Sequence, residues 1–98
     1  MFETDTPLGV QVRVTDKYWE YIVTIKHRPM KGKEELVREI LACPDEIRRS
    51  KMDKEVHLYY KFTDKLYCVV CKHAGDTGYI ITSYPTDKVK EGEVIWTK

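Results

Sequence analysis

Apolar and polar positions alternate along this chain with two different periods. Three runs rich in β-branched and aromatic residues, 56–62, 66–73 and 79–84, are separated only by Thr63-Asp64-Lys65 and by Ala74-Gly75-Asp76-Thr77-Gly78. Runs of this kind bounded by turn residues predict an antiparallel meander of three strands, because parallel pairing needs a crossover of about a dozen residues or more. Upstream, residues 8–14 place Val10, Val12 and Val14 on one side and Gln11 and Arg13 on the other, which predicts a half-buried strand or extended arm.

Helical spacing takes over next. Thr15 suits an N-cap and Asp16 a first turn, and Trp19, Ile22, Val23 and Lys26 follow the i, i+3, i+4, i+7 spacing of a helix over residues 16–26. Pro29 stops it and leaves His27 and Arg28 at its C-terminal end. After Gly32, the stripe Leu36, Val37, Ile40 and Leu41 predicts a second helix over residues 34–42, ended by Pro44. Residues 45–51 hold a single apolar side chain, Ile47, and read as a short edge strand or a loop; in the polar tail, Val94-Ile95-Trp96 is expected to dock back on the core. The element order predicts an α+β fold: one domain over residues 1–98, with two N-terminal helices on one face of a three- to four-stranded antiparallel sheet.

Composition narrows the classes. The chain has 98 residues, with 17 basic against 16 acidic side chains, so a nucleic-acid partner would be held by a local patch rather than by overall charge. No run approaches the roughly 18 apolar residues of a membrane span, and the first residues lack a signal-peptide layout, so a cytoplasmic protein without membrane association is expected. The three cysteines, Cys43, Cys68 and Cys71, suggest reduced thiols. Cys68 and Cys71 have the spacing of a metal pair, but within a strand they point to opposite faces, and His73 shares a face with Cys71 only. Neither a metal nor a cofactor is expected.

Four features could carry chemistry. His27 at a helix end could move protons near neutral pH. Arg48, Arg49 and Lys51 surround Ser50 in a cluster suited to phosphate, although such a run also suits a plain solvated face. Tyrosines and lysines on the strands, Tyr60 and Lys72 among them, could stack bases and hold phosphates of RNA, or could be ordinary sheet composition. Thr82 and Tyr84 put hydroxyls near the end of the last run, on the face expected for Ile80.

Taken in order, these features form a pattern: a helix ending in Lys26-His27 with a nearby proline, Gly32 and an acidic-apolar helix, Pro44-Asp45 with Ile47-Arg48 and Ser50, then Tyr59-Tyr60, Val69-Val70 with Lys72, and Ile81-Thr82 with Tyr84. That order resembles the phage-type branch of the barnase/EndoU/colicin/RelE-like (BECR) nuclease superfamily, over about residues 15–96. The resemblance implies N-terminal helices, a four-stranded antiparallel sheet and metal-independent, toxin-like endoribonuclease activity that leaves a 2′,3′-cyclic phosphate. It implies His27 as acid or base, Arg48 with Ser50 as a phosphate pair, and Thr82 and Tyr84 completing the catalytic set, with Arg49, Lys51, Tyr60 and Lys72 toward RNA binding. RNA would be the substrate, and an antitoxin or immunity protein a partner class. Two rival readings use the same fold: a catalytically silent RNA-binding module, and a protein-interaction domain that presents a strand edge or a tyrosine-rich face.

Overall fold

A computed structural model describes residues 2–89 and 92–98; Met1, and Lys90 and Glu91 of the polar tail, lie outside the described residues. In chain order the elements are β1 (Phe2–Asp5), β2 (Gln11–Val14), α1 (Asp16–Tyr21) with a π turn (Ile22–Lys26) and a 3-10 turn (Arg28–Met30), α2 (Glu34–Ala42), β3 (Glu46–Arg49), β4 (Val56–Phe62), β5 (Leu66–Ala74), β6 (Thr77–Thr86) and β7 (Glu93–Thr97). The strands form one open sheet in the order β1-β2-β6-β5-β4-β3-β7. The α+β class and the meander of β4, β5 and β6 are as expected, whereas the expected three- to four-stranded sheet is in fact seven-stranded and mixed.

The extra strands have identifiable causes. β2 pairs in parallel with β6, which the long helical excursion between them permits. β1 hairpins back on β2, with Phe2 as its buried anchor. The segment expected as an edge strand or loop is β3, an interior strand between β4 and β7, and the docked tail is β7.

Thr15 caps α1 by accepting a hydrogen bond from the Tyr18 amide at 3.1 Å. The regular helix ends at Tyr21 and widens: the His27 amide donates to the Ile22 carbonyl at 2.7 Å, a bond one residue longer than the α pattern. α2 has the bounds its apolar stripe predicts. Both helical segments pack on one face of the sheet, where Trp19, Ile22, Val23, Met30, Val37, Ile40 and Leu41 join Val12, Val14, Ile47, Tyr59, Val69, Cys71 and Ile80.

The other face is apolar as well. Leu58, Tyr60, Cys68 and Val70 are buried there with Ile81, Tyr84 and Val89 packed against them. Val89 belongs to the connection that carries the chain from β6 to β7, with β5, β4 and β3 lying between those two strands. Burial on both faces explains why the central strands read as near-continuous apolar runs rather than strict alternation. Cys68 and Cys71 do point to opposite faces, one in each cluster.

β6 carries a bulge at Ile81: Val70 pairs with Thr82, but Cys71 pairs with Ile80. Ile80 therefore faces the helices while Thr82 and Tyr84 face away from them, which corrects the expectation that all three share a face. Gly78 lies between Val12 of β2 and His73 of β5, and a β-carbon there would meet the Lys72 carbonyl oxygen at 2.7 Å. Gly78→Ala should accordingly lower stability by roughly 1–2 kcal/mol, seen as a reduced midpoint in urea denaturation with an unchanged slope. Among the described residues, no helix is long and apolar enough to cross a membrane.

Candidate functional site

β2 pairs with β6 only as far as Tyr79, so among the described residues the edge of β6 from Ile80 onward has no strand partner on that side. Exposed strand carbonyls need donors, and here the helical segment supplies them. Tyr18 Oη donates to the Ile81 carbonyl at 2.8 Å and Lys26 Nζ reaches the same oxygen at 3.3 Å. This docking carries the end of the π turn around the rim of the sheet and brings the His27 imidazole against the Tyr84 ring, with centroids 5.2 Å apart and planes inclined by 46°.

His27 is part-exposed, and its pKa is lowered by partial burial and by the neighbouring Lys26 ammonium, so its neutral form dominates at pH 7. Burial, with Cys68 close by, raises the pKa of the Tyr84 phenol and keeps it protonated as a donor. Thr82 shares the helix-free face, and its Oγ1 is buried without a hydrogen-bond partner among the described residues. His27, Thr82 and Tyr84 thus come together at one rim of the helix-free face.

Arg48 faces the same side but sits farther off. The register runs Arg48 to Leu58 to Val70 to Thr82, three strand spacings and hence roughly 14 Å between backbones. Its guanidinium holds Glu46 Oε2 at 2.9 Å and approaches the Gly92 carbonyl at 3.5 Å. Ser50 lies past the end of β3, where its amide donates to the Val56 carbonyl and its Oγ accepts from the Met52 amide, closing the turn into β4. The structure therefore does not gather all five residues around one point.

The RNA-binding candidates are scattered too. Arg49 is the strand neighbour of Arg48 and faces the helix side, with Nη1 3.5 Å from Glu93 Oε1. It lines a shallow cavity of about 240 Å³ with Ser50, Lys51 and Lys54. Tyr60 is only 1% exposed, so its ring offers no surface for a base. Lys72 is on the helix-free face but bonds Asp53 at 3.4 Å and lies 3.9 Å from Glu55; its pKa is raised, chiefly by Asp53. Sequence reasoning missed Tyr18 and Lys26, which anchor the π turn to β6. Their signal was the helical phase, in which each stands four residues from Ile22, on the flank of the buried stripe.

No family model, curated protein or solved structure matches the chain. The site must be read from its own chemistry. Among the described residues, no group of histidine, cysteine and carboxylate side chains could hold a metal ion. What the rim offers is a neutral imidazole and a nearby ammonium, beside a protonated phenol and an aliphatic hydroxyl whose oxygens are buried.

Proposed function

We propose that the protein is a metal-independent endoribonuclease whose reacting groups sit at the His27–Tyr84 rim. The observation that carries this reading is the contact between the His27 and Tyr84 rings, which holds a neutral imidazole beside a phenol at the border of the helix-free face. Cleavage of RNA without a metal requires a base for the 2′-hydroxyl and donors for the charge that builds on phosphorus. His27 takes the 2′-hydroxyl proton and the 2′-oxygen bonds to phosphorus. The bond to the 5′-oxygen breaks, with a solvent proton going to that oxygen, and the products carry a 2′,3′-cyclic phosphate and a 5′-hydroxyl. Tyr84 and Thr82, whose hydroxyl oxygens are buried here, donate to the phosphate once the rim opens to admit it, and Lys26 adds positive charge. Arg48 serves the flanking backbone after exchanging Glu46 for phosphate, whereas Arg49 faces the other side of the sheet.

A second reading, RNA binding without cleavage, is favoured by the burial of the Thr82 and Tyr84 hydroxyls and by the three strand spacings between Arg48 and Thr82. One experiment separates the two. Purified protein is incubated with mixed RNAs in EDTA, and the fragment ends are analysed. Cyclic phosphate ends are expected; intact RNA retained in complex would select the binding module instead.

A further inference from the structure

Where β2 and β6 part, Arg13 and Tyr79 stand side by side in parallel register, and both alternate with residues buried under the helices, Val12 and Val14 on one strand and Ile80 on the other. Both therefore face the helix-free side. The fork between the strands opens into a cavity of about 340 Å³ lined by these two residues with Thr15, Tyr18 and Ile80, and Tyr79 is 48% exposed.

We propose that this fork is a binding subsite for one unpaired base of a single-stranded RNA, with the Tyr79 ring as its stacking surface and Arg13 holding the adjoining phosphate. The proposal deepens the ribonuclease reading and rests on it for the identity of the ligand. Three observations favour this occupant. The volume and its mixed aromatic and polar lining suit a planar heterocycle. Arg13 is exposed and makes no ion pair among the described residues, although Glu3 is its partner across β1 and β2, so its guanidinium can turn to a phosphate. The subsite is also continuous with the rim: Tyr18, in its wall, bonds the Ile81 carbonyl at the bulge that orients Thr82 and Tyr84. A strand lying along the β6 edge would pass Tyr79, the exposed Tyr21 ring with Lys26 at 5.9 Å from its centroid, and His27. Aromatics alternating with cations in this way make a sequence-tolerant platform for single strands.

The test uses the full chain and a fluorescent oligoribonucleotide of about eight residues, made uncleavable by 2′-O-methylation, with anisotropy as the readout of binding. Tyr79→Ala should weaken binding about tenfold while Tyr79→Phe binds like the wild type. Arg13→Ala should reduce the slope of log affinity against log salt by about one unit. Matched thermal melts establish that the variants are folded. Cleavage of unmodified RNA is assayed in parallel, so that the two ideas fail separately. Tyr79-dependent binding without any cleavage supports the subsite and removes the nuclease. Cleavage together with unchanged binding by Tyr79→Ala and Arg13→Ala overturns the subsite and leaves the nuclease standing, and a wild-type chain that does not bind the oligonucleotide overturns the subsite.

Discussion

Replacing His27 by alanine is expected to slow RNA cleavage by a factor of about 10² to 10⁴ while leaving RNA affinity nearly unchanged, because a general base acts on the transition state and adds little to ground-state binding. The imidazole is part-exposed and packs on the Tyr84 ring at the rim, outside both buried clusters, so the variant should fold and melt close to the wild type. The pH dependence supplies an independent check. The His27 pKa is lowered from 6.5, so the basic form is present at neutral pH and is lost only as pH falls below that value. The acid limb of the rate profile should therefore lie below pH 6.5 in the wild type and vanish in His27→Ala. Full-rate cleavage by the alanine variant would reassign the base, and an acid limb that survives the substitution would place it on another group.

Arg48 should behave differently. It starts in an ion pair with Glu46, so any phosphate it binds must displace a carboxylate already 2.9 Å away. That competition could not be read from the sequence, where Glu46 and Arg48 stand simply two residues apart. Their meeting depends on the segment being a strand, since alternation puts residues i and i+2 on one face. The same alternation separates Arg48 from Arg49, which a sequence reading grouped as one cluster.

Other features were legible because local chemistry decided them. The Thr15 cap and the apolar stripe of α2 depend on nearest neighbours along the helix, and both stand as read. The runs of the meander and their short turns fixed the pairing of β4, β5 and β6. What escaped were long-range choices. The bulge at Ile81 adds one residue to one strand and leaves no composition signal, yet it turns Thr82 and Tyr84 to the face opposite Ile80. β1 offers only Phe2 as a buried apolar anchor, and its place is set by a partner strand rather than by its own propensity. The burial of Tyr60 follows from Val89 and its neighbours on the second face, which a one-faced sheet would have left open.

Acidification should destabilise the fold before Asp45 and Asp53, whose carboxylates are held by backbone amides, take up protons. On the helix side, His57 and His73 stack with ring centroids 3.7 Å apart and planes 9° from parallel, at 8% and 9% exposure. His57 Nδ1 donates to the Glu55 carbonyl at 3.1 Å, and His73 Nε2 shares a hydrogen bond of 2.9 Å with Tyr59 Oη. The surrounding groups do not favour a second charge: Arg49 bears on His57, and Cys71, the cross-strand partner of His57, is a buried thiol with a raised pKa. Burial, and then the neighbouring His57, lower the His73 pKa from 6.5 to about 4, and burial lowers that of His57 as well. Folding thus favours the neutral rings. Their contribution is complete above the unfolded value of 6.5 and is lost as pH falls from there toward about 4, because the unfolded chain takes up protons first. A shift of that size corresponds to a loss of about 2–3 kcal/mol between about pH 7 and pH 4.5. Asp45, held by the Phe62 amide, and Asp53, held by the Glu55 amide, have pKa values lowered from 3.8, so their contributions persist through this window and are lost only at lower pH. Urea denaturation at the two pH values measures the loss directly, and His73→Gln, which keeps a polar group for Tyr59 without a titrating ring, should flatten it. Equal stability of the wild type at both values would show that the stacked pair protonates as readily in the fold as in the unfolded chain.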